Sequence, residues 1–188
     1  DDDSELAGDV ARMLRSFSDQ GPALYLMHGN RDFLIGQQFC ERVGATLLSD
    51  PSVHTLNGRP TLLMHGDSLC TADADYQAFR RQARDPAWQQ ALLAQSLEER
   101  RALAGRLREV SQDANSNKAE DIMDVTPSEV DVALTSHGVD RLIHGHTHRP
   151  AVHRLPGGER WVLGDWDEYG WCILLEGERE ELISFIIQ

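Results

Sequence analysis

The sequence predicts an α/β (α+β) fold in which two packed mixed β-sheets are flanked by helices, with a helical cap insertion, all in a single domain spanning residues 1–188. Three observations predict it. Helical patterns alternate with short apolar runs at the start of the chain, strand patterns joined by glycine turns fill residues 151–187, and residues 73–118 carry no strand pattern. Mixed βα units followed by antiparallel strands favour two sheets with helices outside.

The N-terminal elements are helix, strand and short helix. Gly21-Pro22 ends the first helix, a strand follows over residues 23–28, and Asp32 is expected to cap a short helix that Gly44 terminates. The first helix is predicted over residues 4–18 because five apolar residues fall on one face: Leu6, Val10, Met13, Leu14 and Phe17.

Turn and cap signals define the later elements. Residues 53–65 are predicted to form a β-hairpin with Asn57-Gly58 as its turn. A capping box from Thr126 to Glu129, with Pro127 as the first helical residue, predicts a helix that Gly138 ends. The C-terminal strands are predicted over residues 151–155, 159–163, 171–175 and 181–187.

Three apolar strands each end in a glycine turn that carries potential metal ligands. The strands over residues 23–28, 61–65 and 139–143 lead into Gly29-Asn30, Gly66-Asp67 and His144-Gly145-His146-Thr147-His148. Open α/β sheets bind ligands in the crevice beyond the strand ends. One amide oxygen and three imidazoles there would form a plausible ligand set for a transition metal used in hydrolysis, supplied by Asn30, His65, His146 and His148. The alternative for the histidine cluster is a fortuitous surface loop.

Composition excludes several classes of protein. The net charge of −13 argues against nucleic-acid binding by a basic surface. No apolar stretch is long enough for a transmembrane helix. Cys40, Cys70 and Cys172 lack metal-type spacing and indicate free thiols in a reducing compartment. Nothing in the sequence indicates an obligate protein partner.

The predicted insertion contains a basic segment within this acidic chain. Residues 80–108 hold seven arginines against three acidic residues, together with Trp88 and several leucines. A basic helical region of this kind would suit an anionic membrane surface or an acyl-chain substrate. The alternative is a pair of ordinary surface helices with solvated arginines.

Longer motifs carry a resemblance to a known family. Residues 29–32, 65–67 and 145–148 resemble the third, fourth and fifth motifs of the calcineurin-like metallophosphoesterases. Arg31, where most of that superfamily has His, resembles its branch of UDP-2,3-diacylglucosamine pyrophosphatases of lipid A biosynthesis, and longer segments match more specifically. The resemblance spans nearly the whole chain. Its segments are residues 29–34, 64–71, 114–118, 122–125 and 143–153.

The resemblance implies an αββα sandwich and a site with two Mn²⁺ ions. Asn30, His65 and His146 resemble ligands of the second metal, and His148 resembles a ligand of the first. Two metals roughly 3.5–4 Å apart can activate water and hold phosphoryl oxygens. Arg31 would stabilise charge developing at phosphorus, because its fork matches phosphate oxygens. The alternative for Arg31 is a structural pair with Asp32 or Asp67.

The resemblance also implies a substrate and a location. The reaction would be hydrolysis of UDP-2,3-diacylglucosamine to UMP and 2,3-diacylglucosamine 1-phosphate, in the cytoplasm and peripherally at the inner membrane. Without the family, Asp73 could equally be a helix N-cap, and Asn115 could belong to a loop or cap. The residues implied to contact the phosphosugar, besides Asn30, Arg31 and His146, are Asp73, Tyr76, Ser111, Asn115 and Lys118.

One departure from the family pattern bears on the site. The family begins with an Asp-x-His and a Gly-Asp motif, and neither occurs upstream of Asn30. Gly8-Asp9 is no substitute, because it lies in a helical pattern. We therefore expect a preceding segment to supply the remaining first-metal ligands and the bridging carboxylate. Two alternatives stay open: another metallophosphoesterase acting on a nucleotide or phosphodiester, and a non-catalytic lipid or nucleotide-sugar binding module.

Overall fold

The computed structural model describes residues 4–116 and 124–187, the side chains of residues 110–116 excepted. Its described residues form two compact units, one of residues 4–48 and 78–116 and the other of residues 49–77 and 124–187. The described elements are α1 (Glu5–Asp19), β1 (Leu24–Met27), α2 (Gln37–Val43), β2 (Ala45–Leu48), β3 (Ser52–Leu56), β4 (Arg59–Met64), a 3-10 helix (Asp67–Leu69), α3 (Ala74–Ala83), α4 (Pro86–Leu93), α5 (Leu97–Ser116), α6 (Pro127–His137), β5 (Arg141–His144), β6 (Ala151–Leu155), β7 (Gly158–Val162), β8 (Tyr169–Glu176) and β9 (Arg179–Ile186).

In the first unit, α1 and α2 accompany a two-stranded parallel sheet of β1 and β2. The Ser4 side chain caps α1 by accepting a hydrogen bond from the Ala7 amide at 3.3 Å. Gly44 ends α2 in the left-handed conformation, as the sequence predicts. Leu6 and Met13, on the apolar face of α1, are each 73% exposed.

The predicted cap of α2 is wrong. The helix begins after Gly36 and has no side-chain cap, whereas the Asp32 carboxylate accepts a hydrogen bond from the Gly29 amide. Asp32 therefore closes the turn that carries Asn30 and Arg31. An acidic residue shortly before a helix can satisfy either a helix amide or a nearer turn amide, and here the turn takes it.

In the second unit, five strands form a mixed sheet in the order β3-β4-β5-β7-β6. The β3–β4 hairpin turns at Asn57 and Gly58, both at positive φ, as the Asn-Gly signal predicts. β4, β5 and β7 run parallel, so that Met64 is level with His144 and His144 with Val162. The carboxyl ends of these three strands therefore leave the sheet at the same edge.

One face of this sheet is apolar, and the other carries buried ion pairs. On one face, Leu62 and Leu142 pack in a buried core with Val130 and Leu134 of α6. On the other face, fully buried Arg141 donates hydrogen bonds to Glu159 of β7 and Glu180 of β9. β9 pairs only with β8 in a separate antiparallel sheet within the described chain. The prediction of a mixed α/β fold with more than one sheet is confirmed.

The capping box predicted for α6 does not form. Pro127 is the first helical residue and Gly138 the left-handed C-cap, as predicted, but the Thr126 side chain makes no cap bond. Its hydroxyl instead accepts a hydrogen bond from the Thr71 hydroxyl at 2.8 Å. A tertiary partner has replaced the local one.

The described part of the predicted insertion contains three helices and no strand. Helices α3, α4 and α5 lie within residues 74–116, and Asp85 caps α4 by accepting from the Trp88 amide at 2.9 Å. No described helix is both long and apolar enough to cross a membrane.

The three cysteines are free thiols, as the sequence predicts. Cys40 lies in α2 of the first unit and Cys70 directly after the 3-10 helix of the second, and both are buried. Burial raises the pKa of Cys70 to about 12, so this thiol stays protonated at neutral pH and behaves as a small apolar side chain.

Candidate active site

Two candidate histidines lie side by side at the edge where the parallel strands end. His65 follows β4, and His146 lies two residues beyond the end of β5. The two turns are joined by a hydrogen bond of 3.0 Å from the Gly145 amide to the His65 carbonyl. As a result the two imidazole centroids are 5.0 Å apart in an edge-on arrangement. This separation allows one nitrogen of each ring to face a single cation.

The backbone of the histidine loop is unusual. His146 and His148 have φ angles of 63° and 54°, in the left-handed region that residues other than glycine rarely occupy. Conformations of this kind concentrate at functional sites, where the surrounding structure has to hold them. Here the loop is held by the Gly145–His65 hydrogen bond on one side and by Arg149 on the other.

An ion-pair cluster anchors the far side of this loop. Arg149, directly after His148, donates to the Asp124 carboxylate at 2.9 Å, and the Arg160 guanidinium lies 3.8 Å from the same carboxylate. The Asp124 carboxylate also accepts a hydrogen bond from the Val125 amide. Asp124 thereby ties the histidine loop to β7 and to the start of α6.

His148 is placed differently from His65 and His146. Its side chain is 59% exposed, and its Nδ1 lies 3.7 Å from a carboxylate oxygen of Asp165. Asp165 is not among the residues that the sequence predicts for the site. The signal that could have found it is its position three residues after β7, which ends at the same edge as β5.

Tyr76 joins the histidine pair from α3. Its ring centroid lies 5.3 Å from that of His146, and its hydroxyl donates a 2.9 Å hydrogen bond to Asp67. Asp67 is fully buried, in the 3-10 helix directly after the His65 turn. Asp73, 8% exposed, accepts from the Tyr76 amide at 3.1 Å and so caps the start of α3. The cap interpretation of Asp73 thus describes its bonding here, while contact with a substrate stays a prediction.

His144 is buried beneath the pair. Its Nδ1 donates to the Gly145 carbonyl at 2.9 Å, and burial lowers its pKa to about 4, so the imidazole is neutral at pH 7. A Cβ atom at Gly66, which has a φ of +108°, would lie 2.7 Å from that Nδ1. The glycine after His65 therefore makes room for the His144 ring. The sequence places His144 outside the ligand set, and this stays a prediction.

Asn30 and Arg31 belong to the first unit, in the turn that follows β1. Asn30 is half-buried and Arg31 is exposed. Within the described part of the chain Arg31 makes no ion pair, so the alternative pair with Asp32 does not form. The Asp32 carboxylate is bonded to the Gly29 amide instead.

Three of the predicted substrate contacts have no described side chain. Ser111 and Asn115 fall in the last part of α5, where only the backbone is described, and Lys118 lies outside the described residues. Their predicted contacts with a phosphosugar stay predictions.

The described donors fit part of a metal site. Within residues 4–116 and 124–187, no group of three or more His, Cys, Asp or Glu side chains is gathered as a metal site. The close pair of His65 and His146 nevertheless supplies two imidazoles, which suit Mn, Fe or Zn. The arrangement can hold one divalent cation from one side and leaves its other positions to further ligands.

Curated relatives identify the family. A UDP-2,3-diacylglucosamine hydrolase from Cellvibrio japonicus is 56% identical over 177 residues, covering 92% of this chain and 74% of the relative. One from Marinobacter nauticus is 54% identical over 177 residues, covering 92% of this chain and 72% of the relative.

Two other comparisons add nothing to this assignment. No family model matches the sequence. Among solved structures, an archaeal phosphodiesterase aligns with 94% of this chain and 76% of its own at 12% identity and a TM-score of 0.48, which is too low to establish a shared fold. The curated relatives, at more than half identity over most of both sequences, place this chain in the UDP-2,3-diacylglucosamine hydrolase family.

Proposed function

We propose that this protein hydrolyses UDP-2,3-diacylglucosamine to UMP and 2,3-diacylglucosamine 1-phosphate, a step of lipid A biosynthesis. The observation that carries the proposal is the identity of 54–56% with relatives named for hydrolysis of this substrate. In the reaction the oxygen of water bonds to one phosphorus of the pyrophosphate. The bond from that phosphorus to the bridging oxygen breaks, the released phosphate takes the electron pair, and the protons of the water pass to the product phosphates or to solvent.

In this proposal His65 and His146 hold one divalent cation together with Asn30, and His148 serves a second. The paired rings of His65 and His146, 5.0 Å apart, support the shared role. Mn²⁺ is the proposed ion, and when bound it supplies Lewis-acid activation of water and of phosphoryl oxygens. The bridging carboxylate and the other ligands of the first metal are expected from residues other than these four.

Arg31 is the proposed stabiliser of negative charge at phosphorus. Its side chain is exposed and unbonded within the described residues, so its five donors are available to phosphate oxygens. An arginine stays protonated, so its role is electrostatic rather than proton transfer.

Tyr76 is the proposed wall of the phosphosugar pocket next to His146. The Asp67 hydrogen bond fixes its hydroxyl, so the ring rather than the hydroxyl is the surface it would offer. Asp73, Ser111, Asn115 and Lys118 complete the proposed substrate contacts.

We further propose that the helical insertion faces the lipid part of the substrate at the cytoplasmic surface of the inner membrane. Its arginines and leucines support this, because basic amphipathic segments bind anionic bilayers. Binding to vesicles with and without anionic lipid tests this point independently of turnover.

The experiment that tests the proposed function measures Mn²⁺-dependent UMP release from UDP-2,3-diacylglucosamine in detergent micelles. The His146→Ala variant should lose turnover. His54→Ala is the matched control, because His54 lies in β3 and hydrogen-bonds Ser52 at 3.1 Å. Release that His146→Ala retains would contradict the site. Absence of release by the folded wild type, with hydrolysis of a soluble nucleotide diester instead, would favour the other metallophosphoesterase reaction, and binding without any hydrolysis would favour the binding module.

A further inference from the structure

The turn that carries Asn30 and Arg31 is short and held by few bonds of its own. The Gly29 amide donates to the Asp32 carboxylate, and His28 Nε2 donates to the Ile35 carbonyl at 2.6 Å. These two bonds close the turn on itself. Neither bond reaches the peptide that joins Gly29 to Asn30.

Arg84 supplies that missing support from the helical insertion. Its guanidinium donates to the Gly29 carbonyl at 3.2 Å and to the His28 carbonyl at 3.4 Å. The Gly29 carbonyl and the Asn30 amide belong to one planar peptide group. Fixing that carbonyl therefore fixes the plane from which the Asn30 backbone continues.

The His28–Gly29 peptide is held at both of its ends. Its carbonyl accepts from Arg84, and its amide donates to Asp32. Glycine has more backbone freedom than any other residue, so a ligand-bearing turn that begins with it depends on bonds of this kind. Arg84 and Asp32 thus brace the two peptides that precede Asn30.

Arg84 itself occupies a well-fixed position between two helices. Its amide donates to the Arg80 carbonyl at 3.0 Å, which continues the pattern of α3, and the next residue, Asp85, caps α4. Gln89 of α4 donates to the Ala83 carbonyl at 2.7 Å. The junction of α3 and α4 therefore holds the base of the Arg84 side chain in place.

A second contact joins the same helix pair to the same turn. Phe33, 8% exposed and two residues after Arg31, packs against Trp88 of α4 with ring centroids 5.9 Å apart. Polar and apolar contacts from the insertion thus fall on either side of Asn30 and Arg31. All of these residues lie in the first unit.

We propose that Arg84 is a positioning residue that couples the helical insertion to the Asn30–Arg31 turn. The inference rests on the proposed function for its effect on turnover, but the coupling itself is a property of the protein without substrate. Through the hydrogen bonds of Arg84, a ligand or surface that orders α3 and α4 would also fix the positions of Asn30 and Arg31.

The test compares Arg84→Ala with Arg81→Ala, since Arg81 lies in the same helix, has the same charge and is exposed. Amide hydrogen exchange of residues 28–35 in the metal-free protein is expected to rise about tenfold in Arg84→Ala and to stay unchanged in Arg81→Ala. The kcat of Arg84→Ala should fall about 10- to 100-fold with little change in KM, the size that misplacement of a reacting group produces. Arg84→Lys, which keeps one donor group, should recover part of both losses.

The outcomes separate this inference from the proposed function. Unchanged exchange of residues 28–35 in Arg84→Ala overturns the coupling whatever the activity. Faster exchange with unchanged kcat overturns the positioning role. If the wild type does not hydrolyse the lipid, the proposed function fails and the exchange experiment alone decides the coupling. If Arg84→Ala does not fold, Arg84→Lys and Arg84→Met are compared instead, because methionine fills similar space without a donor, and exchange like that of the wild type in Arg84→Met overturns the inference.

Discussion

The Tyr76 hydroxyl donates a 2.9 Å hydrogen bond to the buried carboxylate of Asp67, and the Tyr76 ring lies 5.3 Å from that of His146. Tyr76 and Asp67 come from different helices on either side of a short loop. Their bond orients an aromatic ring over a candidate metal ligand.

Loss of this bond should affect stability as well as the site. Tyr76→Phe removes a donor from a buried carboxylate, so we expect unfolding to become easier by about 1–3 kcal/mol in urea denaturation. Tyr169→Phe is the control, because Tyr169 is 50% exposed. A double-mutant cycle with Asp67→Ala, which removes the acceptor, isolates the pair, and a coupling energy near zero would show that the bond has no energetic role.

Metal binding should depend on both rings of the histidine pair. We expect His65→Ala and His146→Ala each to weaken Mn²⁺ binding in calorimetry, because each removes one of two adjacent imidazoles. His54→Ala should bind like the wild type. Wild-type affinity in either site variant would remove that residue from the ligand set.

Arg31 should affect turnover more than substrate binding. Arg31→Ala is expected to lower kcat by roughly 10²–10³, as for one lost donor to developing negative charge. Arg31→Lys should recover only part of the rate, because it keeps the charge but lacks the bidentate fork. Steady-state kinetics of the three proteins checks this, and an unchanged kcat in Arg31→Ala would make the residue structural.

The buried ion pairs of Arg141 with Glu159 and Glu180 should stabilise the folded protein. Arg141→Met leaves the Glu159 and Glu180 carboxylates without their buried partner, so we expect a loss of about 3 kcal/mol in the free energy of unfolding. Arg179→Met is the control and should change little, because the Arg179–Glu181 pair is exposed.

The ion pair of Arg141 with Glu180 predicts that the free energy of unfolding depends on pH. The hydrogen bond from Arg141 lowers the pKa of Glu180 below its ordinary 4.5. A carboxyl whose pKa is lowered in the folded state contributes stability above the unfolded value and loses it as the pH falls through the folded value. The difference between wild type and Arg141→Met should therefore shrink below pH 4.5, and a difference that stays constant to pH 3 would contradict this assignment.

Local signals were sufficient for much of the fold. Asn57-Gly58 fixes a hairpin because both positions need positive φ, and Gly44 and Gly138 end helices for the same reason. The predicted helix caps at Asp32 and Thr126 were wrong because each side chain accepts a hydrogen bond from another group instead of a helix amide. That donor is the Gly29 amide for Asp32 and the Thr71 hydroxyl for Thr126.

The candidate site was predictable only in part. The two strand ends with His65 and His146 could be found from the sequence because parallel strands finish at one edge. The partners of Asp67, Asp165 and Asp124 were not predicted, since each carboxylate acquires its partner through tertiary placement. Only for Asp165 does its position just after β7 give a signal that places it at this edge. In the sequence Arg84 is only one charge among many, because its partners are two backbone carbonyls more than fifty positions away.

The left-handed backbone at His146 and His148 lowers the stability of the fold at two positions that are proposed to bind metal. Each of these positions holds an L-residue in a conformation disfavoured by roughly 1–2 kcal/mol, which glycine would adopt freely. Glycine there would relax the loop and remove an imidazole in the same step. Selection for thermal resistance alone would thus erode the very residues proposed to hold the metals, so a more heat-stable variant of this protein has to gain its stability elsewhere in the chain.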